Sequence, residues 1–246
     1  MDLTVNDLAR KYPAAGEYIT QIYLILRDYS YCNNRRLAEH MGVSPSAVSQ
    51  AVNRLKKQEL ADQDRYGMIT LLPEGDRLGR EILHRHYLLE YLMVKKLGFP
   101  WALADEEAEN LQDKVSREFI MHLDRVLGHP QVCPHGNPMP GNPNAEHIIH
   151  APKLTEAEPG SLIEIVRITE EGERVPGLLQ LCYEFKVMPR QEYQVITSNE
   201  QRIELESLLD RRDCSIPVDF ARHIGIEPIA DPSGRTPSDR TRAGQQ

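Results

Sequence analysis

The run Gly42-Val43-Ser44-Pro45 constrains this chain more than any other feature of its sequence. Glycine tolerates the positive φ that ends a helix. Serine accepts a hydrogen bond from the free N–H groups that start the next helix, and proline suits the first helical position. Before the turn, Leu37, Ala38 and Met41 mark the inward face of a short helix over 35–41. After it, Val48, Ala51, Val52 and Leu55 recur at helical spacing in a helix from Ser44 to Gln58. Upstream, Ile19, Ile22, Tyr23 and Leu26 stripe a further helix at 17–30. Short helices joined by so tight a turn make a helix-turn-helix. Residues 60–72 then supply two short runs around Arg65-Tyr66-Gly67, which reads as a β-hairpin, so the composite is a winged helix.

Two long helices are predicted next, at 73–97 and 105–127. The first ends at Gly98-Phe99-Pro100 and the second at Gly128-His129-Pro130. Ala108, Leu111, Val115, Phe119 and Leu123 form one stripe on the second. Two such helices bury little alone, which predicts a homodimer interface. Residues 133–153 hold Pro134, Pro138, Pro140, Pro143 and Pro152 with Gly136 and Gly141, and read as a Pro-rich linker or ordered excursion. Beyond them, 161–168 alternates as a strand does. A short helix at 177–185 and strands at 193–196 and 203–205 follow, the pattern of a small barrel. The last residues are Ser/Gly/Pro/Arg-rich without an apolar face, and disorder is expected there. The fold class is mainly α with small β. The expected divisions are 1–80 (winged helix), 81–132 (helical dimerisation and metal binding), 133–153 (linker), 154–228 (small β domain) and 229–246 (tail).

Net charge is −8, which alone argues against a nucleic-acid partner. Its distribution reverses that argument. Over 31–57, Arg35, Arg36, Arg54, Lys56 and Lys57 face only Glu39, whereas 105–125 is strongly acidic. With the inward stripe assigned, Ser46, Ser49, Gln50, Asn53 and Arg54 point outward from the second helix of the motif, as side chains suited to base edges and phosphate oxygens. Ser44 and Ser46 lie at its N-terminus, where free N–H groups favour phosphate. Arg65 on the wing is placed to reach a neighbouring phosphate, and Arg35 and Arg36 add to the basic end. The expected partner is double-stranded DNA. No apolar run approaches membrane-spanning length, and the N-terminus lacks the apolar core of a signal peptide, so no membrane and a cytoplasmic location are expected. Cys32, Cys133, Cys182 and Cys214 form no CxxC pair and read as reduced structural thiols. No GxSxG, P-loop or HExxH motif occurs, so no enzyme class is suggested.

His86 and Glu90 are four apart and share a helix face. Asp105, Glu109, Gln112 and Asp113 share another. One imidazole with several hard oxygens favours Mn²⁺ or Fe²⁺ over the thiolate-rich settings that zinc prefers. The spacing alone equally allows a solvated acidic face. His129, Cys133 and His135 make a rival cluster, without a fourth ligand.

The chain resembles the iron- and manganese-dependent repressors of the diphtheria toxin repressor family over about residues 14–228. The segments that carry this are EYITQIY at 17–23, LAE at 37–39, SAVSQAV at 46–52, HYLLE at 86–90 and CPHGNPMPG at 133–141, the last being the most specific. The resemblance implies a winged helix, a helical dimerisation domain and a C-terminal SH3-like barrel. It also implies a palindromic operator near metal-uptake genes and a divalent co-repressor. Carried over position by position, one metal site falls on Glu17, Glu109, Gln112 and Asp113. A second falls on His86, Glu90, Asp105, Glu170 and Glu173. Members usually have Glu-His where Gln112-Asp113 stand, iron-type members have Cys or Met at Glu109 and Glu17, and a second-site His is Asp105 here. Oxygens replace the soft ligands, which points toward manganese. Two competing readings are a metal-independent winged-helix regulator and a protein-interaction module acting through the SH3-like domain.

Overall fold

The computed structural model describes residues 3–229; the tail expected to be disordered lies almost wholly outside them. The chain forms two compact units. Of the described residues, one comprises 3–99, 104–133 and 139–145, and the other 100–103, 134–138 and 146–229.

The first unit opens with α1 (Val5–Lys11), which the sequence reading did not anticipate. Thr4 caps it, accepting from Asp7 N. Then come α2 (Ala15–Tyr29), α3 (Asn34–Met41) and α4 (Pro45–Lys57). Gly42 adopts φ 65° at the end of α3, and Ser44 Oγ accepts from Ala47 N at the start of α4. The turn chemistry read from the sequence is thus the turn that forms. Strands β1 (Ala61–Gln63) and β2 (Ile69–Leu71) pair antiparallel as the wing. Ile19, Ile22, Leu37, Val48, Val52, Leu55 and Ile69 are buried together, the expected core of a winged helix. Each such side chain contributes about 1.5–3 kcal/mol relative to exposure.

Helix α5 (Pro73–Lys96) runs from the wing into a second apolar cluster with Tyr87, Leu88, Ala108, Ile120 and Leu123. Its Gly75 lies against the wing's base, where an added Cβ would come 1.9 Å from the Leu60 carbonyl oxygen.

The expected helix over 105–127 is two helices, α6 (Ala104–Leu111) and α7 (Arg117–Leu127). The cause is competition for backbone groups. Asn6 Nδ2 donates to Asp113 O at 2.9 Å and to Val115 O at 3.0 Å, and Arg85 Nη1 donates to Val115 O at 3.0 Å. These carbonyls are thereby engaged outside a continuous ladder. Ser116 Oγ takes Phe119 N at 3.1 Å and starts α7 afresh.

The second unit carries an antiparallel five-stranded sheet in the order β6-β5-β4-β3-β7. Before it comes α8 (Ala145–Ile149). Its elements are β3 (Leu162–Ile168), α9 (Glu170–Glu173), α10 (Leu178–Phe185), β4 (Glu192–Ser198), β5 (Arg202–Ser207), β6 (Asp213–Pro217), α11 (Val218–Ala221) and β7 (Ile224–Pro228). Register shifts at 165/167 and 195/197 bend the sheet, as an SH3-like fold requires. Strands β6 and β7 were not foreseen. Residues 134–138 of the Pro-rich segment are buried in this unit, where Ile168 N donates to His135 O at 2.8 Å. Gly136 has φ 92°, and a Cβ there would meet Val166 O at 2.2 Å, so only glycine fits.

Candidate metal centre and nucleic-acid interface

His86 and Glu90 lie one turn apart on α5, and Asp105 opens α6 beside them. His86 Nε2 stands 3.1 Å from Asp105 Oδ1 and 3.4 Å from Glu90 Oε1. One ligand atom from each residue falls within 4.8 Å of the others. Glu90 is fully buried and His86 nearly so. A carboxylate so placed needs compensating charge. Burial opposes a charged imidazole, but the hydrogen bonds and charges of Asp105 and Glu90 outweigh it and hold the His86 pKa well above 6.5. The ring thus serves as the internal cation of the cluster. On its other side His86 Nδ1 lies 3.1 Å from Gln112 Oε1.

Gln112 also lines a cavity of about 190 Å³ with Glu17, Glu109 and Asp113, over an apolar floor that includes Val5, Leu8 and Ile82. The structure therefore brings together all four residues of the first carried-over site. Glu17 stands in the first turn of α2, Glu109 near the end of α6, and Asp113 in the break after it. This second group is open. Among the described residues, its carboxylates are not drawn within 4.8 Å as those around His86 are.

Both groups meet the test of donor chemistry. One imidazole nitrogen with two carboxylates, and three carboxylates with an amide, are hard donor sets suited to Mn²⁺ or Fe²⁺. The buried Glu90 oxygens beside a histidine make the first a buried charge cluster rather than a solvated face.

Glu170 and Glu173 lie buried in α9 of the second unit. Glu173 is engaged there: Oε2 is 3.1 Å from His135 Nδ1, and Oε1 accepts from Asn137 Nδ2 at 2.5 Å. Asn137 Oδ1 accepts in turn from buried Arg167 at 3.1 Å. The two histidines of the rival zinc reading each face a group of their own. His129 pairs with Asp124 at 2.8 Å, and His135 Nε2 faces the Trp101 carbonyl at 3.1 Å.

On α4, the side chains of Gln50, Asn53 and Arg54 are exposed and, among the described residues, carry no hydrogen-bond or ion partner. Ser44 and Ser46 share a 2.9 Å hydrogen bond at the helix start. Ser49 has partners within the fold. It donates to Pro45 O and accepts from Asn34 Nδ2 at 2.8 Å, so it fastens α3 to α4. Arg35 pairs with Glu39, Arg36 lies over the Tyr29 ring, and Arg65 lies over the exposed Tyr66 ring at the wing tip. Sequence reasoning missed Asn6 and Arg85. The Thr4–Asp7 spacing was the available signal for the helix that carries Asn6.

A winged helix followed by helices that gather histidine and carboxylate ligands defines a metalloregulator of transcription. Residues 12–69 match the iron dependent repressor N-terminal DNA binding domain, and 72–141 match the iron dependent repressor metal binding and dimerisation domain. The regulator MntR of Bacillus pumilus is 33% identical over 114 residues, 46% of this chain and 76% of that protein. The iron-dependent repressor IdeR of Mycobacterium tuberculosis is 26% identical over 223 residues, 86% of this chain and 96% of that protein. A solved manganese-dependent transcriptional repressor in complex with manganese superposes with a TM-score of 0.73 at 27% identity, covering 87% of this chain and all of that one. The chain belongs to the iron- and manganese-dependent repressor family.

Proposed function

We propose that this protein is a homodimeric transcriptional repressor of metal-uptake or homeostasis genes whose DNA affinity depends on Mn²⁺ or Fe²⁺. The observation that carries this reading is the His86–Glu90–Asp105 cluster, with His86 and Glu90 buried and Asp105 half-buried, in the same unit as the winged helix. His86, Glu90 and Asp105 form one ligand set, and Glu17, Glu109, Gln112 and Asp113 form the other. A bound divalent ion supplies the positive charge that offsets these carboxylates. Glu17 belongs to α2, which packs in the winged-helix core, while Glu109 and Asp113 follow α5. A shared ligand set therefore fixes the DNA-reading helices against the dimerisation helices. Glu170 and Glu173, the remaining carried-over ligands, are buried in the second unit, where Glu173 contacts His135 and Asn137. Among the described residues no helix is long and apolar enough to cross a membrane. A protein that reads chromosomal DNA works in the cytoplasm.

Gln50, Asn53 and Arg54 read base edges, with Ser44 and Ser46 on phosphate at the start of α4. Arg35, Arg36 and Arg65 hold the flanking backbone. Exposed Phe119, Met121 and Val126 on α7 supply apolar surface for the dimer contact. The test is selection from a random duplex library in Mn²⁺. Enrichment of a palindromic site, lost when the selection is repeated in chelator, is the expected result. No enrichment in any divalent metal contradicts the reading.

A further inference from the structure

Helix α1 touches the candidate centre through the side chain of Asn6. Its Nδ2 donates to the carbonyls of Asp113 and Val115, and its Oδ1 accepts from Arg85 Nη1 at 3.2 Å. Arg85 is fully buried, and its Nη2 is fixed by Glu81 Oε1 at 3.0 Å. Arg85 Nη1 also donates to Val115 O and lies 3.5 Å from Gln112 O. Two side chains from outside the segment thus take hold of the peptide carbonyls at 112, 113 and 115. Those are the residues by which α6 ends and Gln112 and Asp113 are presented to the cavity shared with Glu17 and Glu109.

An alternative route would continue 105–127 as one helix. In that route Asp113 would follow the α-helical rotation, and its carbonyl would be hidden in the ladder. The break exists where Asn6 and Arg85 bind. Just ahead of α1, Arg77 Nη2 donates to Leu3 O. Val5 and Leu8 meanwhile bury α1 in the winged-helix core. The same short helix is therefore attached to the DNA-reading core by apolar contacts and to the ligand-bearing break by one amide.

We propose that Asn6 is a positioning residue for the open cation site: it sets the conformation of the 112–116 break, with Arg85 as its support, and so places Asp113 and Gln112 opposite Glu17. This rests on the cation-dependent reading above. Groups that orient ligands from outside the coordination shell typically carry about 10-fold or more in metal affinity. Asn6→Ala removes both the donor and the acceptor. Asn6→Asp keeps an acceptor for Arg85 but cannot donate to the two carbonyls, so it isolates the contacts that shape the break.

The experiment is isothermal titration of the full-length protein with MnCl₂, alongside thermal melting in chelator. His86→Gln and Glu109→Gln variants identify which class of site each heat belongs to. The expected result for both Asn6 variants is about 10-fold weaker Mn²⁺ binding at the class lost in Glu109→Gln. The class lost in His86→Gln stays unchanged, and so does the melting temperature in chelator to within a few degrees. Isotherms identical to wild type overturn the proposal. So does equal weakening of both classes in step with a lower melting temperature, since that marks Asn6 as merely structural. A wild-type protein that binds no Mn²⁺ overturns the cation reading itself, a different failure from a variant that binds like wild type.

Discussion

Uptake of a divalent ion by the His86 cluster should expel a proton. In the metal-free protein the imidazole is held between Asp105 and Glu90, and its pKa lies well above 6.5. A metal ligand must be the neutral ring, so below that raised pKa each ion bound at this cluster displaces one proton. The affinity then rises about tenfold per pH unit, or about 1.4 kcal/mol, until pH passes the raised value and the dependence flattens. The metal-free fold has the opposite sign. A histidine whose pKa is raised on folding stabilises the protein fully below 6.5, and that stabilisation is lost as pH climbs through the folded value. Mn²⁺ titration calorimetry in buffers of different ionisation enthalpy reads the proton count directly. The heat should depend on buffer with a slope near one proton per ion at this cluster, and His86→Gln should abolish that slope. Buffer-independent heats together with a flat affinity between pH 6 and 7 refute the argument, because they mean the ring is already neutral or is not a ligand.

Gly75→Ala should be among the most damaging single-methyl changes in the chain, since the Cβ would lie 1.9 Å from a backbone carbonyl. A loss of about 3 kcal/mol or more in denaturant unfolding is expected, beyond ordinary overpacking costs; a loss under about 1 kcal/mol contradicts the packing. Ser44→Ala removes the cap of α4 and should cost about 1 kcal/mol of stability, measured by urea melts, and should also weaken DNA binding. Arg54→Ala should cost about 1–3 kcal/mol of operator affinity and relax preference at one base pair if it reads a base edge. A uniform loss across sequences, with a shallower salt dependence, would place it on phosphate instead.

The helix-turn-helix was legible because its signals are local. Gly42, Ser44 and Pro45 act within a few residues, and each does in the fold what its chemistry suggests. His86 and Glu90 were legible for the same reason, since helical periodicity alone puts them on one face. The break at 112–116 was not. Its residues carry an apolar stripe straight through, and the groups that interrupt the helix are Asn6, over a hundred positions away, and Arg85. Periodicity turns Ser49 outward but does not name its partners, and its partner Asn34 sits on another helix. Glu173 carries over by resemblance as a ligand, and its contacts to His135 and Asn137 depend on how residues 134–138 fold into the second unit, which no local pattern shows. Strands β6 and β7 are five residues each, too short for alternation to stand out.

The central claim is that DNA affinity is set by a divalent ion. The direct measurement is fluorescence anisotropy of a labelled duplex carrying the selected site, at one fixed salt concentration. It is titrated with protein in chelator, then in Mn²⁺, in anaerobic Fe²⁺ and in Zn²⁺. The account predicts tight binding with Mn²⁺ or Fe²⁺, loss of that binding in chelator, and a loss of response in a His86→Gln, Asp113→Asn double variant. Equal affinity in chelator and in every metal would contradict it, leaving a winged-helix regulator whose carboxylates serve the fold alone.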